Sequence, residues 1–210
     1  MGLMSNETWL VDPKRLVFVL SRYKFVAKMF DGLARVLEIG CADAFGTRIV
    51  CQAVGELTAV DFDPLFITEA RDHWRPPLAP HFAVHDMCAG PLTGPFDGAY
   101  TLDVIEHVRP EDEKRFVANI VASLTPEGVL IVGTPSIQSQ VFASPPSREG
   151  HVNCMDLPGL KALLSGFFAN VFVFSMNDEV VHTGFHPMAH YLLALCCGPR
   201  PASKLEGRAG

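Results

Sequence analysis

Short apolar runs with the composition of β-strands alternate with helical patterns along the chain. Seven such runs predict strands, at 35–39, 57–60, 82–84, 98–102, 129–132, 171–174 and 191–197. Between them, residues 47–54, 64–74, 110–124 and 156–168 have spacing or composition that favours helices, with Pro64 suited to a first turn. Strands that alternate with helices predict a mainly parallel sheet covered on both faces.

One long segment has no clear period. Residues 136–153 are polar and rich in Ser and Pro. Loops of this length inside a compact domain are uncommon and are usually functional or mobile. We therefore expect this segment to be either functional or mobile.

Composition narrows the class of protein. The 210 residues are 49% hydrophobic, which excludes a disordered chain, and the formal net charge of −6 argues against a general nucleic-acid binder. No apolar run is long enough to span a membrane, and the first residues lack a signal peptide. The six cysteines show no CxxC pair, so we expect reduced thiols and a cytoplasmic location.

Polar residues collect where the predicted strands end. The strand-end residues are Glu38 and Gly40, Asp61, Asp86, Asp103 and Thr134. Parallel sheets bind ligands at the carboxyl ends of their strands, near the point where the strand order reverses. One ligand lying along this edge would explain the repeated carboxylates.

The chemistry of these ends constrains the ligand. The G-x-G-x-x-G fingerprint of dinucleotide folds is absent after the first strand, and Glu38 and Asp43 would repel a phosphate. Asp61 can accept both hydroxyls of a ribose, and Phe62 can pack on an adenine face. Asp86, with the backbone of Met87, can read an adenine edge. A ribose, an adenine and a cationic group without phosphate fit S-adenosylmethionine.

Four segments carry a resemblance to a known family. The chain resembles the class I S-adenosylmethionine-dependent methyltransferases in VLEIGCADAFGT at 36–47, AVDFDP at 59–64, FDGAYTLDVIEHV at 96–108 and PEGVLIVGTPS at 126–136. The subgroup it resembles includes ubiquinone-biosynthesis-type and sugar-modifying enzymes. The resemblance implies a Rossmann-like, three-layer α/β sandwich. Its seven-stranded sheet would be mostly parallel, with an antiparallel last strand and helices on both faces.

The resemblance also implies roles for individual residues. Glu38 and Gly40 match positions that organise the methionine side of the cofactor, and Leu102 and Asp103 match positions that contact its amino group. Arg22 and Tyr23 resemble a pair that closes over its carboxylate end. The predicted cofactor-binding residues are Arg22, Tyr23, Glu38, Gly40, Cys41, Ala42, Asp61, Phe62, Asp86, Met87, Leu102 and Asp103.

Two residues depart from the family's first motif, because Ala42 and Ala44 replace its second and third glycines. Ala42 is readily tolerated if its φ stays negative. Ala44 adds a methyl group near the cofactor.

Two histidines are candidates for a general base. His151 in the 136–153 segment and His107 before a predicted helix could each take a proton from an acceptor hydroxyl, or could be structural. His182, His186 and His190 have helical spacing, but Pro187 interrupts them. We therefore predict no metal site.

The sequence thus predicts one methyltransferase domain over 1–210, with a helical lid region at 1–33, a core at 34–198 and a flexible tail at 199–210. Its expected reaction transfers a methyl group from S-adenosylmethionine to a small molecule, first of all to a hydroxyl oxygen of a sugar or another metabolite. The alternatives are an N-methyltransferase, a non-catalytic cofactor-binding protein and, last, an NAD-dependent oxidoreductase. A homodimer through the Phe-rich stretch 167–174 is a further expectation.

Overall fold

The computed structural model describes residues 2–78 and 80–200. Eight strands form one sheet in the order β3-β2-β1-β4-β5-β8-β6-β7. The strands are β1 Arg35–Ile39, β2 Glu56–Asp61, β3 His81–Val84, β4 Phe96–Leu102, β5 Leu124–Pro135, β6 Phe168–Met176, β7 Val181–His182 and β8 Tyr191–Pro199.

Within the described residues, seven helices lie around this sheet. They are α1 Leu3–Val11, α2 Pro13–Met29, α3 Thr47–Cys51, α4 Pro64–His73, α5 Glu113–Ser123, α6 Pro145–Gly150 and α7 Leu157–Ser165. Three short 3-10 helices lie at Ile105–His107, Ile137–Phe142 and His186–Met188. Within the described ranges, no helix is both long and apolar enough to cross a membrane.

The sheet is parallel from β3 to β5, and β8 then runs antiparallel to both β5 and β6. This confirms the predicted fold class, a mostly parallel sheet with an antiparallel last strand. The strand count differs by one because the two-residue β7 pairs with Ser175 and Met176. So short a strand leaves no run long enough to be detected in sequence.

Successive side chains of the central strands enter two separate cores, as the pleat of a strand requires. On one face, Val36 of β1 and Tyr100 of β4 pack with α2, α3 and α4. On the other face, Leu37 and Ala99 pack with α5 and α7. The fold is therefore the expected three-layer sandwich, whose strands are apolar on both sides.

Because β8 is antiparallel, the segments that connect β5, β6 and β8 also reach the edge of the sheet where the parallel strands end. Tyr191 at the start of β8 pairs with Pro135 at the end of β5, and with Met176 at the end of β6. The segments 136–153 and 177–190 therefore border the same edge as the ends of β1, β2 and β4. The 136–153 segment contains a 3-10 helix and α6, although its sequence shows no period.

The stretch 167–174 lies mostly at a sheet edge, since β7 pairs only with the end of β6. Subunit pairing through it stays a prediction, as does the division of the chain into lid, core and tail. Residues 201–210 of the expected tail lie outside the described residues.

Candidate functional site

A cavity of 270 Å³ opens at the carboxyl ends of β1, β2 and β3. Five of the predicted cofactor-binding residues line it, namely Gly40, Asp61, Phe62, Asp86 and Met87. It lies beside the point where the order β3-β2-β1-β4-β5 reverses, because β1 pairs with both β2 and β4. The predicted ligand edge therefore contains a real cavity.

Gly40 makes the turn out of β1 possible. Its φ is +78°, and a Cβ at this position would lie 2.2 Å from Cγ2 of Val104. Both the left-handed backbone and the close approach of Val104 require glycine here. The turn thus places Gly40 at the cavity wall and begins the 40–46 loop, called the cofactor loop below.

Asp61 anchors the cofactor loop to the end of β2. Its Oδ2 accepts from the backbone N–H of Ala42 at 3.0 Å, and its Oδ1 accepts from that of Asp63 at 3.0 Å. The carboxylate is 6% exposed and still lines the cavity. It can therefore hold the loop and accept a ligand hydroxyl through its remaining lone pairs.

Ala42 and Ala44 are in the left-handed region, with φ of 45° and 56°. Alanine at position 42 is expected to be readily tolerated if its φ is negative, but its φ is positive. This region costs an L-residue roughly 1–2 kcal/mol, which glycine avoids. The loop thus adopts two left-handed positions without glycine and carries that strain.

A buried carboxylate lies near the end of β1, just before the cofactor loop. Glu38 on β1 is 1% exposed, and neither of its oxygens has a hydrogen-bond partner among the described residues. Burial raises the pKa of Glu38 to about 7, and the facing hydroxyls of Thr47 and Tyr100 offset only part of that effect. Cys41 is buried beside it, and burial raises the pKa of its thiol.

Arg22 and Asp103 meet at the end of β4. Nη1 of Arg22 on α2 donates to Oδ1 of Asp103 at 2.6 Å, and the guanidinium lies 3.6 Å from the ring centroid of Tyr191. Burial, the largest single cause, disfavours the charged guanidinium, but Asp103, Tyr191 and Glu106 together outweigh it, and the pKa of Arg22 is raised. The two residues predicted for the methionine end are thus brought together.

Of the other predicted residues, Phe62 lines the cavity, whereas Tyr23 and Leu102 do not. Tyr23 lies against Gly46, where a Cβ would be 2.3 Å from its ring. Leu102 is buried at the end of β4. Phe62 is 74% exposed at the rim of the cavity. It is therefore free to pack on a ligand.

The two candidate bases are neighbours. The rings of His107 and His151 lie 5.1 Å apart, centroid to centroid. The contact arises because the carbonyl of Glu106 accepts from the N–H groups of Val152 and Asn153, at 2.8 and 3.0 Å. These bonds fold the end of the 136–153 segment onto the turn after β4.

The hydrogen bonds of the rings identify their tautomers. Nδ1 of His107 faces the carbonyl oxygen of Gly150 at 2.8 Å, and Nδ1 of His151 faces Oε1 of Gln140 at 2.8 Å. Since both partners are acceptors, Nδ1 carries the proton in each neutral ring and Nε2 is free to accept one. Partial burial, reinforced by His107, lowers the pKa of His151, so its neutral, basic form is favoured.

Sequence reasoning missed Glu106, although it is part of the quoted segment 96–108. Its side chain is fully buried. Its Oε2 accepts from Oγ1 of Thr134 at 3.1 Å, while Oε1 has no partner among the described residues. Burial and the charge of Asp103 raise the pKa of Glu106. Its only signal in the sequence is its place in the motif.

Glu106, His107 and His151 each offer one ligand atom, and these atoms lie within 4.8 Å of one another. Such a set could hold a divalent cation or share a proton. His182, His186 and His190 do not share a helix, since His182 is on β7 and His186 is in a 3-10 helix.

Three kinds of comparison agree with this geometry. Residues 36–128 match the family model described as a methyltransferase domain. The ubiquinone biosynthesis O-methyltransferase of Xanthomonas oryzae pv. oryzae (strain PXO99A) is 26% identical over 147 residues, which are 67% of this chain and 61% of that protein. A protein of the same name from Caulobacter sp. (strain K31) is 31% identical over 114 residues, covering 50% of this chain and 42% of that protein. The chain thus spans less than two thirds of these relatives.

Solved structures share the fold. The N-methyltransferase NodS from Bradyrhizobium japonicum WM9, in complex with S-adenosyl-L-homocysteine, matches with a TM-score of 0.68 and 20% identity over 91% of this chain and 92% of that one. A putative methyltransferase in complex with the Haloferax volcanii Trm112 methyltransferase activator matches with a TM-score of 0.68 and 12% identity. The match covers 95% of this chain and 99% of that one. In its motifs and its fold the chain is similar to the class I S-adenosylmethionine-dependent methyltransferases, and its residues 36–128 match a methyltransferase domain.

Proposed function

We propose that this protein transfers the methyl group of S-adenosylmethionine to a hydroxyl oxygen of a small molecule. The proposal rests on one observation, namely that a cavity suited to a nucleoside and a pair of histidines lie together at one edge of the sheet. The cavity walled by Asp61 and Asp86 suits an adenosine, and His107, on that same cavity wall, is paired with His151 beside Glu106.

The proposed cofactor fits the polar groups around the cavity. Asp61 would accept the ribose hydroxyls, while Asp86 and the backbone of Met87 would read the adenine edge. Asp103 would attract the ammonium group, and Arg22, already paired with it, would face the carboxylate. A zwitterion suits this ion pair because each of its charges meets an opposite one.

When bound, the cofactor supplies an activated methyl group on a positively charged sulfur. The protein's tasks are then to align the acceptor and to remove its proton. Nε2 of His151 would accept the hydroxyl proton, because its Nδ1–H is held by Gln140 and its lowered pKa keeps the ring neutral. The Glu106 carboxylate, when ionised, would stabilise the resulting imidazolium.

Oxygen is favoured over nitrogen as the acceptor atom for two reasons. A hydroxyl needs a base, and the site offers two histidines with free Nε2 atoms. The curated relatives quoted above are named O-methyltransferases. NodS, whose likeness to this chain shows the fold alone, is titled an N-methyltransferase. Amines therefore belong in any acceptor panel beside phenols and sugars.

Isothermal titration with S-adenosylhomocysteine tests the cofactor assignment. We expect wild type to bind, Asp61→Ala to lose binding, and Asp61→Asn to retain the loop bond to Ala42 in part and weaken binding less. Asp72→Ala, on the exposed face of α4, is the matched control and should bind like wild type. Folded wild-type protein that does not bind would refute the proposal.

A product assay tests the acceptor chemistry. Wild type, His151→Ala and His107→Ala are incubated with S-adenosylmethionine and a panel of phenols, sugars and amines, and methylated products are read by mass spectrometry. We expect O-methylation by wild type and a loss of about 10²–10⁴-fold in kcat for the variant that lacks the base. Methylation of amines alone would contradict the oxygen assignment.

A further inference from the structure

Helix α1 meets the cofactor loop at one buried point. The backbone N–H of Ser5 donates to Oδ2 of Asp43 at 2.7 Å, and its hydroxyl donates to Oδ1 at 3.0 Å. Both side chains are buried, and 38 residues of chain separate them. Asp43 thus joins the N-terminal helix to the loop whose first residue, Gly40, lines the cavity proposed for the cofactor.

This contact caps α1. Ser5 is the third residue of the helix, and its N–H is one of the first-turn donors that have no partner within a helix. Gly2, at the N-cap position, has no side chain to satisfy it. The Asp43 carboxylate therefore replaces a local cap, and its negative charge also suits the positive end of the helix.

The rest of α1 is weakly attached. Between Leu3 and Val11 the buried residue is Ser5, while Leu3, Leu10 and Val11 are exposed. A cavity of 330 Å³ lies beside Gly2 and Asp43. A nine-residue helix is too short to be stable alone in water, so its helicity depends on this docking.

The loop end of the contact is equally constrained. Asp43 lies between Ala42 and Ala44, both left-handed, and its Oδ1 also accepts from the N–H of Phe45 at 3.3 Å. Moving the Asp43 side chain would disturb the backbone that Asp61 holds at the cavity. The carboxylate therefore has one orientation when the loop is formed.

We infer that α1 is a strap latched to the cofactor loop through Asp43, so that docking of α1 and binding of the cofactor strengthen each other. The inference rests on the proposed function, because it assigns a regulatory contact to that same site. A ligand that orders the loop favours the latched strap, and by linkage the latched strap favours the ligand by the same factor.

The test changes residues on the α1 side of the contact, which do not line the 270 Å³ cavity proposed for the cofactor. Gly2→Ala places a Cβ 2.3 Å from Cβ of Asp43, while the φ of −74° at Gly2 suits alanine. Ser5→Ala removes only the hydroxyl bond. Thr8→Ala is the control in the same helix, since it removes a bond to the carbonyl of Met4 that does not involve the loop.

Two readouts are taken on the full chain. Hydrogen exchange follows the backbone amides of α1 with and without S-adenosylhomocysteine, and calorimetry gives the affinity. We expect the ligand to slow exchange in α1 of wild type. Gly2→Ala should speed that exchange and weaken binding about fivefold, the factor that matches loss of a helix cap of about 1 kcal/mol. Ser5→Ala should do both to a smaller extent, and Thr8→Ala should leave the affinity unchanged.

The outcomes separate the two claims. Two results would contradict the coupling between α1 and the cofactor loop. The first is ligand binding that leaves hydrogen exchange in α1 unchanged, and the second is faster exchange in α1 of both variants with unchanged affinity. Either result would leave the proposed function intact. Absence of ligand binding by wild type would overturn both. Should Gly2→Ala fail to fold, Ser5→Ala alone decides, because it adds no atom.

Discussion

At the scale of single residues, the unusual feature is alanine in two left-handed positions of the cofactor loop. Ala42 and Ala44 were recognisable in the sequence as departures from a glycine-rich motif. Their φ values were not, because φ depends on how Asp61 and Val104 hold the turn. The strain is a property of the folded loop.

Replacing Ala42 by glycine should relieve this strain. We expect a gain of between zero and about 1.6 kcal/mol in the free energy of unfolding, because roughly 1–2 kcal/mol of strain is removed and the unfolded chain gains about 0.4–1 kcal/mol of entropy. The matched control is Ala122→Gly on the exposed face of α5, which should cost up to about 1 kcal/mol because it lies in the last turn of that helix. Urea denaturation measures both, and equal destabilisation of the two variants would argue against strain at Ala42.

At the scale of secondary-structure elements, an ion pair and a cation–π contact add to the apolar core that holds α2 on the sheet. Arg22 lies between the rings of Phe18 and Tyr191 and pairs with Asp103 at the end of β4. The sequence placed Arg22 in a leading helix and Asp103 at a strand end. It did not pair them, since 81 residues separate the two.

A double-mutant cycle should reveal this pair. We expect Arg22→Met and Asp103→Asn to show a coupling energy of about 1–2 kcal/mol in unfolding, less than a fully buried pair because Asp103 is about a third exposed and solvent screens it. The control cycle uses Arg115 of α5 and Asp112 at its N-cap, a pair whose guanidinium is exposed to solvent, with about 0.3 kcal/mol expected. Similar coupling in the two cycles would show that the Arg22 pair does not secure α2.

At the scale of the whole molecule, the buried Glu38 makes global stability depend on pH. Burial raises its pKa from 4.5 to about 7 in the folded protein. Between these values the folded state binds more protons than the unfolded state, so its stability falls as the pH rises. The full change is about 3 kcal/mol, from below pH 4.5 to above pH 7.

Glu38→Gln removes this titration while keeping the shape of the side chain. We expect the unfolding free energy of wild type, minus that of the variant, to fall by about 3 kcal/mol between pH 4.5 and 8. Glu127→Gln, at an exposed residue of β5, should show no such trend. A difference that is constant with pH would mean that Glu38 is ionised in the folded state throughout.

The amino-acid sequence by itself determined the three layers and the ligand edge. The local pattern of apolar and polar residues predicts the strands and helices. Because the strands are parallel, their carboxyl ends bring Gly40, Asp61 and Asp86 to one edge of the sheet. Only the tertiary structure decided which groups touch across long separations. The pairs Arg22 with Asp103, Ser5 with Asp43 and His107 with His151 depend on how α1, α2 and the 136–153 segment dock. Docking is set by the packing of whole elements, and no local pattern in the chain records it.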